Sequence, residues 1–141
     1  MLLNKNFSRT MSLGLHEAKV IAYGEQEAET KVLADGTSLS FSAYIWVDIT
    51  DTTDGAQARI KFYDSEIDMN RLNASLNAIL EQVGGVAGLS DIAAVLEHLK
   101  ATGTAFKVVL KENPSKDDPE KVYTNFYFDV NTIRNYSRRA R

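Results

Sequence analysis

Four segments of this 141-residue chain place aromatic and basic side chains alternately with apolar ones. Because successive side chains of a β-strand point to opposite faces, the aromatic and basic residues of each segment would share one face. An aromatic ring there can stack on a nucleobase, and a neighbouring lysine or arginine can neutralise a phosphate. The pattern therefore predicts a surface that binds single-stranded nucleic acid. The candidate residues in these segments are Tyr44, Trp46, Arg59, Lys61, Tyr63, Lys107, Lys111, Tyr123 and Tyr127.

The predicted ligand is a single strand, because the bases of a double helix are already stacked on one another. Stacking depends little on base identity and does not sense the 2′-hydroxyl, so we expect low sequence specificity, and both DNA and RNA fit. Two alternatives stay open. Aromatic residues also suit strands for packing alone, and the same face could dock a protein partner or a second copy of the chain, giving an assembly module and a homo-oligomer.

The C-terminal segment is strongly basic, whereas the rest of the chain is acidic. The formal net charge is −3, from 16 basic and 19 acidic residues. Four of the basic residues are arginines in residues 134–141, which leaves 12 basic residues against the 19 acidic ones. We interpret residues 132–141 as a basic tail in which Arg138 and Arg139 grip phosphates, although such a tail could equally serve solubility alone.

The chain offers little for catalysis or metal binding. It has no cysteine, which excludes disulfides and thiolate metal sites and suits a reducing cytosol. Its two histidines, His16 and His98, are far apart and are interpreted as ordinary structural residues. No nucleophile elbow or phosphate-binding glycine loop is present, and no apolar run reaches the roughly 18–20 residues of a membrane helix. We therefore expect a non-enzymatic protein with no metal, cofactor or membrane span.

Hydrophobic periodicity assigns the elements that would position the candidate residues. A 3.6-residue period predicts two helices between the third and fourth strands, capped by Asp68 and Ser90. On the second strand, Phe41 and Ile45 are predicted to face the core, so alanine at either position should destabilise the fold by about 2–5 kcal/mol. The predicted strands are residues 16–23, 38–49, 57–63, 105–111 and 121–130.

Three strands, two helices and two further strands follow one another in this order. The order predicts a mainly β (α+β) fold, namely a five-stranded antiparallel Greek-key barrel of the OB type with a helical insertion between strands 3 and 4. Closure into a barrel would also remove the open edges of a small sheet. The domain would span residues 13–131, between an N-terminal arm at residues 1–12 and the basic tail at residues 132–141.

Several segments of residues 13–130 share a pattern with a known family. The segments are LGLHEAKVIAYG, SLSFSAYIWVDI, ARIKFYD, RLNASLNAIL and FKVVLKENP followed by KVYTNFYF. They resemble the single-stranded DNA-binding proteins of bacteriophages and related bacterial mobile elements, which are OB-fold proteins. The resemblance implies a role in DNA replication or recombination in the cytoplasm of a bacterial or phage-infected host cell. It also implies that six residues face the DNA, namely Tyr44, Trp46, Arg59, Lys61, Tyr123 and Tyr127.

The C-terminus departs from that family pattern. Many proteins of this function end in an acidic tail that recruits replication partners, whereas this chain ends in arginines. Three interpretations stay open: the chain lacks such partners, the arginines contact the nucleic acid directly, or the chain lies outside that family.

Overall fold

The alternating segments form β-strands, and the segments with a 3.6-residue period form helices. The computed structural model describes residues 1–4, 9–85, 88–118 and 120–139, with the side chains of Arg138 and Arg139 outside the description. After a short 3-10 turn at Leu2–Asn4, the strands are β1 Gly14–Gln26, β2 Glu29–Val32, β3 Ser38–Phe41, β4 Tyr44–Asp51, β5 Gln57–Tyr63, β6 Phe106–Pro114 and β7 Val122–Tyr127. The helices are α1 Glu66–Gln82, α2 Ile92–Thr102 and α3 Val130–Arg139.

Five of the strands form one antiparallel sheet in the order β5-β4-β1-β6-β7. The 13-residue β1 is at its centre. Residues 18–26 of β1 pair with β4, residues 14–18 pair with β6, and the register shifts between Val20 and Ala22. Strands β2 and β3 form a separate two-stranded ribbon. The predicted mainly β, α+β class is confirmed.

The predicted closed barrel is wrong, because no backbone pairing among the described residues joins β5 to β7. Other groups occupy the outer edge of β5. The Gln57 N–H donates to the Arg9 carbonyl at 2.7 Å, and the Gln57 carbonyl accepts the Met11 N–H at 3.0 Å. The Arg71 guanidinium of α1 donates to the Lys61 carbonyl at 3.1 Å. Since these contacts satisfy groups that a closing strand would bond, the sheet stays open, and a groove of about 350 Å³ lies between α1 and β7.

The strand predicted at residues 38–49 is two strands with different partners. β3 pairs with β2 in the ribbon, whereas β4 pairs with β1 and β5 in the sheet. Leu39 and Phe41 therefore lie on the ribbon, 41% and 48% exposed, and the prediction that Phe41 faces the core is wrong. Ile45, beyond the break, packs against the core as predicted. Alternation continues unchanged across the break, so it cannot reveal that the pairing partner changes.

The core lies between the sheet and the helices α1 and α2. The Ser65 hydroxyl caps α1 by accepting the Asp68 backbone N–H at 3.1 Å, and Asp91 caps α2, one residue after the predicted Ser90. Asp68 lies instead in the first turn of α1, where its carboxylate accepts the Tyr63 N–H at 2.8 Å. The largest fully buried side chains of this core include Ile49, Leu72, Leu96, Leu99 and Val108.

The segment interpreted as a basic tail contains helix α3, which packs on β6 and β1 on the side of the sheet away from α1 and α2. Asp129 caps α3 by accepting a backbone N–H of its first turn at 2.9 Å. Ile133 is 8% exposed, and Val109, on the face of β6 turned toward α3, is fully buried. A Cβ at Gly14 would lie 2.7 Å from the Tyr136 hydroxyl, so glycine makes room for this helix. The described part of the segment is docked rather than a free appendage.

His16 on β1 connects the N-terminal segment to the last residue of β4. Its Nδ1 lies 2.6 Å from Asp51 Oδ2, and its Nε2 lies 2.7 Å from the Ser12 carbonyl oxygen. Both partners are acceptors, so the protonated imidazolium is the form that satisfies both bonds. Burial lowers the pKa of His16, but the hydrogen bonds to Asp51 and Ser12 and the charges of Asp51 and Asp54 outweigh burial and raise that pKa above its ordinary value.

We expect protein stability to fall as the pH rises through the raised pKa of His16. A group whose pKa is raised by folding stabilises fully below its unfolded pKa, about 6.5 for histidine, and loses that contribution above its folded pKa. Urea unfolding between about pH 6 and 9 should show this loss in the wild type and in a His98→Gln control. The same measurement on His16→Gln should show no such loss, and an equal loss there would contradict the assigned role.

Candidate nucleic-acid interface

Strands β4 and β5 present their aromatic and basic residues on the face of the sheet away from the core. On β4, Tyr44 and Trp46 alternate with Val47 and Ile49, which belong to the core. The antiparallel register then sets Tyr44 opposite Tyr63, Trp46 opposite Lys61 and Asp48 opposite Arg59. We call the set formed by Tyr44, Trp46, Arg59, Lys61 and Tyr63 the β4–β5 patch.

One end of the β4–β5 patch is a pair of tyrosines with a lysine. The rings of Tyr44 and Tyr63 are 5.5 Å apart between centroids and tilted by 56°. Lys61 Nζ lies 4.9 Å from the centroid of the Tyr44 ring. Among the described side chains, no carboxylate lies within 4.0 Å of Lys61 Nζ. An exposed tyrosine beside a lysine of this kind offers a ring for a base and a charge for a phosphate.

The other end of the patch is a stack built around Trp46. A Cβ at Gly24 would lie 2.5 Å from Cζ2 of Trp46, so only glycine on β1 leaves room for the indole ring. The guanidinium carbon of Arg59 lies 4.3 Å from the Trp46 ring centroid. Asp48 accepts two hydrogen bonds from Arg59, at 2.7 Å from Nε and 3.0 Å from Nη2, which raises the pKa of Arg59 above its ordinary value. Trp46 is partly buried and does not belong to the core cluster that the described residues form.

Strands β6 and β7 present a second group of candidates, which we call the β6–β7 patch: Lys111, Tyr123 and Tyr127. Lys111 Nζ lies 5.4 Å from the centroid of the Tyr127 ring. The Asn113 side-chain amide donates to the Tyr127 hydroxyl at 3.3 Å. Tyr123, at the beginning of β7, is 56% exposed. This patch again combines rings with a lysine, but with a single cation.

The two patches share a face of the sheet without forming one continuous surface. β1 separates β4 from β6, and α3 covers β6 and β1 between the patches. Lys107 belongs to neither patch: it pairs opposite Glu17 on β1, and its backbone N–H donates to the Gln82 side chain of α1 at 2.7 Å. Arg138 and Arg139 are the last residues of α3, and their side chains lie outside the described residues. The sequence predicted one continuous binding surface, whereas the structure has two separate patches with α3 packed between them.

The ribbon adds residues that periodicity did not assign to the surface. Lys31 Nζ lies 5.6 Å from the Phe41 ring centroid, and Glu29 lies 4.0 Å from the same ammonium group. The ribbon leads directly into Tyr44 at the beginning of β4, so it borders the tyrosine end of the β4–β5 patch. The turn of the ribbon contains Asp35 and Gly36, with Gly36 at a φ of +86°, and an Asp-Gly pair is a common hairpin signal. Gly24 and Asp48, in contrast, carried no such signal, because their roles depend on cross-strand register.

Other site chemistry has little support in the described residues. Within them, no group of three or more histidine or acidic side chains is arranged to hold a metal ion. None of the described helices combines the length and apolar character needed to cross a bilayer. Near the start of α1, the N-cap is Ser65 and not the predicted Asp68, whose carboxylate accepts the Tyr63 backbone N–H.

Comparison with known proteins does not assign a family. The chain matches no family model, and it matches no curated protein sequence. The resemblance to phage single-stranded DNA-binding proteins therefore stays a prediction that depends on the quoted segments.

Proposed function

We propose that this chain is a non-enzymatic protein that binds single-stranded DNA with low sequence specificity, chiefly through the β4–β5 patch. The observation that carries the proposal is the contact geometry of that patch. On the face away from the core, Tyr44 contacts the Tyr63 ring and the Lys61 ammonium group, and Trp46 contacts the Arg59 guanidinium on the neighbouring strand. Rings supply stacking worth roughly 1–3 kcal/mol per base, and the cations supply phosphate neutralisation.

The fold adds support to this proposal. An OB-fold is a partly open Greek-key barrel that binds oligonucleotides on the face of its strands 2 and 3 and on the loops 1–2 and 4–5. We propose that the open sheet is such a barrel, with β4 and β5 as strands 2 and 3. The ribbon then takes the position of loop 1–2, and the β6–β7 turn beside Tyr123 takes that of loop 4–5. The β6–β7 patch would thus extend the surface along which the bound single-stranded DNA lies.

The biological role that fits such a protein is protection of single strands during phage or mobile-element replication or recombination, in the cytoplasm of the host cell. Single-stranded RNA is the alternative ligand, because stacking on these rings does not sense the 2′-hydroxyl. One observation favours an assembly module instead: the ribbon exposes large apolar side chains, with Val32 70% and Phe41 48% exposed. Such exposure suits a protein partner or a second copy of the chain.

We expect the emission of Trp46, the single tryptophan of the chain, to fall when a dT oligomer is added at low salt. The affinity should decrease with added salt, since each neutralised phosphate of a single strand contributes a slope of about −0.7 in log K against log salt concentration. A duplex of equal length should bind more weakly, and an rU oligomer tests the RNA alternative. No response to any single strand at low salt would favour the assembly module.

A further inference from the structure

Two groups lie against the Trp46 indole. Gly24 is so close that even a methyl group there would lie 2.5 Å from the ring. The Arg59 guanidinium covers a face of the ring, 4.3 Å from the ring centroid. The glycine contact is fixed backbone in a sheet, whereas Arg59 is a flexible side chain, so the face under Arg59 is the one that can be uncovered. A base can stack on that face only if Arg59 moves.

Asp48 holds Arg59 in that position. The two residues are directly opposite each other in the β4–β5 register, and both carboxylate oxygens accept a hydrogen bond from the guanidinium. The Arg59 side chain is 49% exposed and that of Asp48 is 20% exposed. An ion pair this exposed is weakly held and is screened by salt. It is therefore a contact that another anion can replace.

We infer that Asp48 competes with the phosphates of a bound strand for Arg59, and that Trp46 becomes available to a base only when a phosphate has replaced Asp48. A phosphate offers the guanidinium fork the same paired oxygens as a carboxylate. When Arg59 turns toward the phosphate it leaves the indole, so that capture of a phosphate and stacking of a base occur together. This inference rests on the proposed function, and it assigns Asp48 as the residue that regulates the site.

The first test measures the affinity for a labelled dT oligomer by fluorescence anisotropy at low salt. Asp48→Asn keeps the side-chain shape but removes the competing charge, and it should tighten binding by about two- to fivefold, the range of an exposed ion pair. Removing any acidic residue can tighten DNA binding by making the net charge of the protein less negative. A double-mutant cycle with Arg59→Ala separates this general effect from the specific contact. In the Arg59→Ala background, Asp48→Asn should change the affinity much less. An equal gain in both backgrounds would overturn the inference.

The second test needs no DNA. Acrylamide quenching of the single tryptophan should increase in Arg59→Ala and in Asp48→Asn, because both changes loosen the cover of Trp46. Unchanged quenching in Arg59→Ala would overturn the inference, whatever the binding data show. Failure of every variant and of the wild type to bind the oligomer would overturn both the proposed function and the inference. Wild-type binding with no gain from Asp48→Asn would overturn the inference alone.

Discussion

Replacing Leu72 by alanine is expected to lower the free energy of unfolding by about 2–5 kcal/mol. Leu72 is on the inner face of α1 and is 1% exposed, and it packs against the core side of the sheet together with Ile60 and Phe62. Removing its isobutyl group loses apolar burial and leaves a cavity, because close-packed neighbours relax only partly. Urea denaturation monitored by circular dichroism measures the change directly.

Phe41→Ala is the control for this experiment, since it removes a larger apolar side chain from the half-exposed ribbon. Its expected cost is less than about 1 kcal/mol, in the range of surface substitutions. The sequence pattern alone predicts a core-sized loss at Phe41, so the two variants separate the observed pairing from the predicted one. Similar large losses in both variants would mean that the ribbon packs against a partner in solution.

Trp46→Ala is expected to raise the Kd for a dT oligomer by roughly 5- to 150-fold, the equivalent of about 1–3 kcal/mol for one lost base stack. Trp46 is the largest ring of the β4–β5 patch, and its loss also removes the surface against which Arg59 lies. Anisotropy of a labelled oligomer is the appropriate measurement, because the variant has no tryptophan to observe. Unfolding curves of the same variant establish that the loss of affinity is not a loss of fold.

Trp46→Phe is the matched control, because it keeps an aromatic face above Gly24. It should retain most of the affinity that Trp46→Ala loses. Tyr127→Ala reports on the β6–β7 patch in the same assay. An unchanged Kd in Trp46→Ala together with a large loss in Tyr127→Ala would move the binding site to the β6–β7 patch and contradict the proposed use of β4 and β5.

The sequence was sufficient to predict which side chains share a face of β4 and of β5. Trp46 and Lys61 lie on the solvent side because alternation is a property of the strand itself and needs no knowledge of its partner. The same argument fails at Phe41. Its alternation is as regular as that of Ile45, but pairing changes between them, and pairing is a long-range property that a local period does not contain.

Barrel closure and the position of α3 were also beyond local reasoning. Closure depends on what bonds to the edge of β5, and here that edge is occupied by Arg9, Met11 and Arg71 from distant parts of the chain. In α3, Ile133 has the burial of a packing residue, but the arginines around it have the composition of a solvated tail. Asp48 illustrates the same limit, because its bond to Arg59 exists only in one cross-strand register.

The register shift in β1 has a consequence for how the two patches are aligned. One continuous strand pairs with β6 along its first half and with β4 along its second half, and the two pairings meet at Ala18. The irregularity between Val20 and Ala22 lies just beyond that residue, within the part of β1 that pairs with β4. Since a slip of one residue exchanges the two faces of a strand, this irregularity sets the phase between the residues of β1 that precede it and those that follow it. Inserting or deleting one residue there would exchange the two faces of the strand on one side of the irregularity, so that its core residues would face solvent. A point substitution would leave the faces unchanged. The relative orientation of the β4–β5 patch and the β6–β7 patch therefore depends on the number of residues along β1 and not on which residues they are.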